Sequence, residues 1–436
     1  MPMRPDLADD LDAFAETILS AGAAASMAVA VTDRDETLAV RAYGQASDRS
    51  LFQIGSIGKS FTAIVTLQLA EEGLLDLHAP VTDVLPWFSV GGGHGPITLH
   101  HLLTHTAGLI MGADVATGSN FDAVALAETE TAYAPGEHFW YSNVGYRVIS
   151  WLLETVTGAG YPQLVRERIL DRLEMRHTES WIVQEMRPRL AQAYVAAYDD
   201  RPWRREHGLV PATWIDSAEA DGCICCNAGD LAIYLRAIMN RDQRLLSEAS
   251  WTTMCTPHAE DDQEGKREQY GYGLAIAASG IGHGGGMIGT YSMMRAGLDG
   301  LGAVSMVTGV GGSVALSDAA LALARGKQPE PFAFEPAPPL KDDGSCPAEW
   351  LPLLGHYRSH NAWLTNFRVI ANGGRLMLVA DAVDEVRHPL SPLDDGRFRV
   401  GKQPWAPERL RFDTVIDGRA QRAWLSGAAY HRTFTE

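Results

Sequence analysis

The sequence predicts an α/β protein in two domains: a sheet assembled from remote parts of the chain with helices packed on it, then a small β-barrel. Three observations carry this. Strand-like runs stand near the start of the chain and return after residue 271, with a long, largely helical stretch between them. The segment Lys327 to Leu340 is proline-rich and reads as a stiff extended linker. Beyond it the chain changes to short strand-like runs separated by Asn-Gly and Asp-Gly turns, which are strong hairpin signals. The expected division is 1–326, linker 327–340, and 341–436.

The elements follow in order. Asp6 to Ala21 has the apolar spacing of an amphipathic helix. Ser26–Thr32 and Thr37–Tyr43 read as strands joined by the polar turn Asp33-Arg34-Asp35-Glu36. Phe61 to Gly73 is an apolar-periodic helix. Ala134-Pro135-Gly136 marks a turn, and Val144 to Thr157 reads as another helix. Tyr272–Ala277, Tyr291–Ala296 and Leu301–Thr308 are strand-like, and Ser317–Gly326 closes the domain as a helix. Strands at both ends with helices between imply one sheet built from remote segments. In the tail, the runs are Phe367–Ile370, Arg375–Val379, Gly396–Val400, Arg409–Val415 and Arg422–Leu425.

The chemistry concentrates at Ser56-Ile57-Gly58-Lys59. A serine hydroxyl is a weak nucleophile at neutral pH and needs a base beside it. Residues three apart share one helix face, so Lys59 can reach back to Ser56. Ser56 stands where the Phe61 helix begins, and free N–H groups and the helix dipole there favour developing negative charge. Two further patterns accompany it. Tyr141-Ser142-Asn143 opens the second helix, and His283-Gly284-Gly285-Gly286 lies between two strand-like stretches.

Ser-x-x-Lys, Tyr-x-Asn and His-x-Gly in this order resemble the serine β-lactamase and penicillin-binding-protein superfamily. The likeness is greatest to the class C β-lactamase branch, which also holds D-aminopeptidases, D,D-carboxypeptidases and family VIII esterases. The stretch Ile97 to Leu109, with Leu102-Leu103-Thr104-His105-Thr106-Ala107-Gly108, is similar to that branch's segment between the first two motifs. The resemblance spans residues 26–325. It implies an antiparallel sheet flanked by helices, an all-helical lobe, and a catalytic cleft between them. It implies Ser56 as nucleophile, Lys59 as base, and Tyr141 as the phenol that shuttles the proton. Asn143 is implied to bind a substrate amide or carbonyl, or to orient Lys59. By family position the N–H groups of Ser56 and Gly286 form the oxyanion hole; Gly284, Gly285 and Gly286 carry no side chains, so substrate backbone can approach the strand closely. His283 replaces the lysine of Lys-Thr-Gly found in members with antibiotic chemistry. Histidine is mostly neutral at pH 7, so recognition of a β-lactam carboxylate is put in doubt. Some peptidases and esterases of the superfamily carry a lipocalin-like C-terminal domain, similar in size and pattern to this tail. A loop at Asn361-Ala362-Trp363 is the expected roof of the cleft.

These residues favour a serine hydrolase acting through an acyl-enzyme, first a peptidase of the D-aminopeptidase or carboxypeptidase type, then a family VIII-like esterase, then a β-lactamase. A non-catalytic penicillin-recognising scaffold is the contrasting class, and intact Ser56, Lys59 and Tyr141 argue against it. No cofactor is implied. A net charge of −18 gives no basic footprint for nucleic acid or an anionic membrane. The expected partner is a small-molecule or peptide substrate, with a homo-oligomer as a possible assembly. The acidic N-terminal stretch lacks the pattern of a signal peptide, so a cytoplasmic location is expected.

Other clusters have plainer readings. Cys223, Cys225, Cys226, Cys255 and Cys346 are odd in number and lack a second pair at ligand spacing, so buried thiols are expected. His101 and His105 are four apart, but no Glu of an H-E-x-x-H pattern lies between them. Capping and packing is the expectation, and no metal site is assigned. Trp203, Trp214 and Tyr270 lie in stretches that border the cleft in relatives; they either shape the pocket or pack.

Overall fold

The computed structural model describes residues 6–112, 126–217, 219–261, 268–334, 338–360, 364–381 and 385–433. The Asn361-Ala362-Trp363 loop lies outside them. The chain forms two compact units, neither of them contiguous. The first comprises Met1–Ala79, Tyr146–Val195 and Gly208–Phe334; the second comprises Pro80–Gly145, Ala196–His207 and Glu335–Glu436.

The first unit is built on an eight-stranded sheet. Its strand order is Thr37–Gly44, Ala24–Thr32, Gly302–Gly309, Thr290–Gly297, Gly280–Met287, Ala275–Ala277, Glu268–Tyr270 and Ala259–Asp261. Every pairing is antiparallel, with Met27 opposite Val307 and Gly286 opposite Tyr291. The helix Leu7–Ser20 buries Leu7, Leu11, Phe14 and Ile18, a stripe at helical spacing. That stripe packs on Met27, Val29, Val31 and Val307 of the sheet, beside Leu316, Ala320 and Leu323 of the helix Ser313–Ala324. Burial at about 1.5–3 kcal/mol per large side chain makes this the anchor between the two ends of the domain.

The Gly-rich run is itself the strand Gly280–Met287, hydrogen-bonded along its length to Thr290–Gly297. Glycine is a poor strand former on propensity, and tertiary pairing overrides that here. The expected Tyr272–Ala277 strand shortens to Ala275–Ala277. Gly273 (φ +66) breaks it, because a Cβ there would stand 2.6 Å from the carbonyl oxygen of Lys59.

The helix Gly58–Glu71 is buried on all sides from Gly58 to Leu69. Most of its polar side-chain atoms are engaged, Gln68 Oε1 being an exception. Ser60 Oγ bonds the Tyr234 hydroxyl at 2.8 Å, Thr62 Oγ1 bonds the Tyr161 hydroxyl at 2.8 Å, and Gln68 Nε2 donates to the Leu245 carbonyl at 2.9 Å. The large majority of buried polar groups in proteins are so paired.

The second unit contains a closed antiparallel barrel of eight strands: Gly355–Arg358, Asn366–Asn372, Arg375–Asp381, Glu385–Pro392, Phe398–Val400, Arg409–Ile416, Arg419–Leu425 and Ala428–Arg432. Tyr357, Phe367, Val369, Leu378, Phe398, Leu410 and Tyr430 fill it. Five of these strands coincide with runs legible in the sequence. Glu385–Pro392 was hidden because it contains Pro389 and Pro392, residues that cannot donate to a ladder. The other segments of the unit hold on to the barrel. Arg358 grips the Asp199 carboxylate with two nitrogens at 3.0 and 3.1 Å, and Tyr133, Trp140 and Ala406 share one apolar cluster. Among the described residues no helix is long and apolar enough to cross a membrane.

Candidate active site

Ser56 lies in a single 3-10 turn, Gly55–Ile57, that runs directly into the helix Gly58–Glu71. The turn needs glycine at 55: φ is +52, and a Cβ would stand 2.5 Å from the carbonyl oxygen of Gly286 and 2.7 Å from its nitrogen. At Gly285 a Cβ would overlap the carbonyl oxygen of Ile54. Ser292 Oγ ties the same carbonyl down at 2.7 Å. Gly285 and Gly55 therefore let the strand back onto the turn that presents Ser56.

Lys59 Nζ stands 3.0 Å from Ser56 Oγ and 2.7 Å from the carbonyl oxygen of Asp221. Its side chain is fully buried, with the Tyr146 ring 5.4 Å away. The Asp221 carbonyl can only accept, so it consumes one N–H of the amine. A neutral lysine keeps a second N–H and a lone pair, and that lone pair could take the Ser56 proton. The Asp221 carboxylate is itself paired with Arg147 Nε at 3.2 Å, and both side chains are almost wholly enclosed. Sequence reasoning missed Asp221 and Arg147. The available signal was Asp221-Gly222, a turn dipeptide, and Gly222 packs its backbone against Gly55.

His283 is buried in the Gly280–Met287 strand. Its Nδ1 meets the carbonyl oxygen of Gly284, and its Nε2 lies 2.9 Å from the Tyr270 hydroxyl. Because a carbonyl only accepts, Nδ1 carries the proton and Nε2 accepts from Tyr270. Desolvation lowers the imidazole's pKa to about 4; the Gly284 carbonyl opposes it without prevailing, and Lys59 adds to the lowering whenever its amine is protonated. His283 is thus a neutral residue with both ring nitrogens engaged. Of the three aromatic candidates, Tyr270 touches a motif residue. Trp203 is buried, and Trp214 packs on the cluster of Leu51, Ile182, Met186 and Cys225.

Tyr141 and Asn143 belong to the second unit. Ser142 stands immediately before the helix Asn143–Thr157, and its Oγ accepts the Gly145 N–H at 3.0 Å as an N-terminal cap. The Ser142 N–H donates to His105 Nδ1 at 3.0 Å, and the His105 ring lies 4.2 Å from that of Tyr141. His101 closes a capping box with Thr98. Both histidines thus have structural contacts, and no metal-holding cluster occurs among the described residues. Cys223, Cys225 and Cys226 are buried and their thiols pushed up by desolvation, away from the reactive thiolate form.

A serine at a helix start, a lysine in contact with it, and a glycine-rich strand packed against the serine's turn define a serine hydrolase of α/β fold. The sequence profile of the family described as Beta-lactamase matches residues 11–327, and the chain belongs to that family, within the serine β-lactamase and penicillin-binding-protein superfamily. Penicillin-binding protein 4 of Amycolatopsis lactamdurans is 28% identical over 333 residues, 71% of this chain and 84% of that protein. The octameric penicillin-binding protein homologue from Pyrococcus abyssi superposes with a TM-score of 0.66, over 97% of this chain and 99% of that one, at 22% identity. A D-stereospecific amidohydrolase from Streptomyces sp. gives a TM-score of 0.59 over 70% of this chain and 94% of that one, at 24% identity. At these identities the two structures speak for the fold.

Proposed function

We propose that the protein cleaves amide bonds of small peptides or amides through an acyl-enzyme on Ser56, as a peptidase of the D-aminopeptidase or carboxypeptidase type. The observation that carries this is the contact of Lys59 Nζ with Ser56 Oγ, held by the Asp221 carbonyl. In this reading neutral Lys59 takes the Ser56 proton as Oγ attacks the substrate carbonyl. The N–H groups of Ser56 and Gly286 receive the oxyanion. Tyr141 passes the proton to the leaving amine and then activates the deacylating water. Asn143 holds the substrate amide. Neutral His283 lines the strand beside Gly284 and offers no fixed cation for a substrate carboxylate, which counts against β-lactams. The same neutrality favours a second reading, hydrolysis of uncharged esters. The name of the Streptomyces relative supports the amide reading, and the octameric Pyrococcus homologue supports self-association. We place the domain boundary within 327–340.

The test runs aminoacyl anilides of both hands, p-nitrophenyl esters and a chromogenic cephalosporin side by side. Anilide turnover is expected to lead, and Ser56→Ala to abolish every activity while the fold persists. Loss of the nucleophile of a triad-like unit costs on the order of 10⁶ in turnover. Activity of Ser56→Ala within tenfold of wild type (about 1.4 kcal/mol) refutes the nucleophile.

A further inference from the structure

The barrel contributes one buried carboxylate to a distant piece of chain. Glu408 is 8% exposed and precedes the strand Arg409–Ile416. One carboxylate oxygen accepts the Met111 N–H at 2.6 Å, and the other accepts the Ser426 hydroxyl. Enclosing a carboxylate is costly unless it is firmly bonded, and desolvation raises its pKa. What Met111 requires of this position is an acceptor for its N–H, which a glutamine Oε1 could also supply.

The backbone it grips leads straight to the Tyr-x-Asn motif. The Met111 carbonyl accepts the N–H groups of Asn143 and Val144 at 3.0 and 3.2 Å. The Ile110 carbonyl accepts the Ser142 hydroxyl at 2.7 Å. Ser142 in turn rests on His105, whose ring lies against Tyr141. Ile110-Met111 is therefore a short strip with the start of the Asn143–Thr157 helix bonded to its carbonyls and Glu408 bonded to its N–H. All of these residues lie within the second compact unit.

We infer that Glu408 is a positioning residue: through the Met111 backbone it fixes the turn that carries Tyr141 and Asn143, and so couples the barrel to the proton-transfer step. This rests on the role proposed for Tyr141. A displacement of about 1 Å at a proton handler can lower turnover on the order of 10²-fold.

The test is a double-mutant cycle in the full-length chain, read as kcat and KM on a p-nitrophenyl ester. Glu408→Ala is expected to lower kcat about 10–100-fold with KM little changed. Glu408→Gln, which keeps an acceptor for the Met111 N–H, is expected to restore most of the rate. In the Tyr141→Phe background Glu408→Ala is expected to cost almost nothing further, because the group it positions is gone. A merely destabilising change would lower the active fraction by the same factor in both backgrounds, and that result overturns the proposal. So does an unaffected kcat, or equal loss in Glu408→Gln and Glu408→Ala. Should Glu408→Ala not fold, Glu408→Asp keeps the charge but shortens the arm, and the same selective loss is expected of it. Fluorophosphonate labelling of Ser56 separates the two ideas: no label on the wild-type chain refutes the acyl-enzyme reading itself. A fully active Tyr141→Phe removes the role of Tyr141 and overturns the positioning role with it.

Discussion

At the scale of single residues, Lys59 shows how a motif becomes a mechanism. Its nitrogen meets groups that differ in kind, among them an acceptor-only carbonyl at Asp221 and the hydroxyl of Ser56. If Lys59 and Tyr141 share one proton-transfer unit, Lys59→Ala and Tyr141→Phe should each cripple acylation. The double variant should then be barely worse than the poorer single one, since effects within a unit do not add. Stopped-flow acylation rates decide this, and multiplicative losses would separate the two residues. His283 supports a second prediction. Folded, its pKa is about 4; unfolded, it returns to about 6.5. The folded form is depressed, so between those values the unfolded chain binds the proton and the folded chain does not. The contribution is fully present above pH 6.5 and is lost as pH falls towards 4, by about 3 kcal/mol at most. Urea unfolding at pH 7.5 and pH 4.5 should show a larger acid loss for wild type than for His283→Gln, which cannot titrate there. Equal losses would sink the account. The motif residues were legible because serine, lysine and tyrosine at fixed spacings are rare together. Asp221 was not, because its working atom is a backbone carbonyl that every residue type has.

At the scale of elements, the helices were read from periodicity and the hardest strand was not. Leu7–Ser20 announces itself through apolar residues four and three apart, and the structure ends it within a residue of the expected bounds. Gly280–Met287 carries five glycines and almost no strand propensity. Its conformation is imposed by neighbours on both edges, and at Gly285 glycine is required by the backbone of Ile54 behind it. This gives a contrast within three residues. At Gly285 a Cβ would overlap the Ile54 carbonyl, which is backbone and cannot yield. At Gly284 the nearest atom is the flexible methyl of Met293, 3.3 Å from the added Cβ. Gly285→Ala should therefore cost about 1–3 kcal/mol of stability and shift the Ser56 turn, lowering kcat/KM on the order of a hundredfold. Gly284→Ala should be much milder in melting temperature. Comparable melting and kinetics in the two variants would show that the strand does not press on the turn.

At the scale of the whole molecule, the tail's hairpin grammar was visible, but its hold on residues 80–145 was not, because that hold consists of contacts between segments some 270 residues apart. Tyr133 and Trp140 are buried together with Ala406, and Trp405 stacks on His138 with centroids 4.1 Å apart. Arg397 pairs with Glu130 at 2.9 Å, and Glu408 holds Met111. Removing the chain after Phe334 would strip all of these at once. Two aromatic side chains of about 150–250 Å² each, half uncovered, cost roughly 5 kcal/mol at 25 cal/mol per Å². That is comparable with the whole stability margin of a typical domain. The Ser56–Lys59 pair, by contrast, rests on residues of the first unit alone. Truncation is therefore expected to melt earlier and to bind a hydrophobic dye, while Ser56 in the folded fraction still reacts with a small fluorophosphonate. If Tyr141 carries the proton as proposed, turnover of esters and anilides should fall far more than labelling does. Adding the Glu408→Ala exchange to the full chain should reproduce part of the turnover loss without the dye binding. A truncated protein with wild-type melting and turnover would mean that the barrel is a passenger, and an unlabelled but folded one would mean that Ser56 itself depends on it.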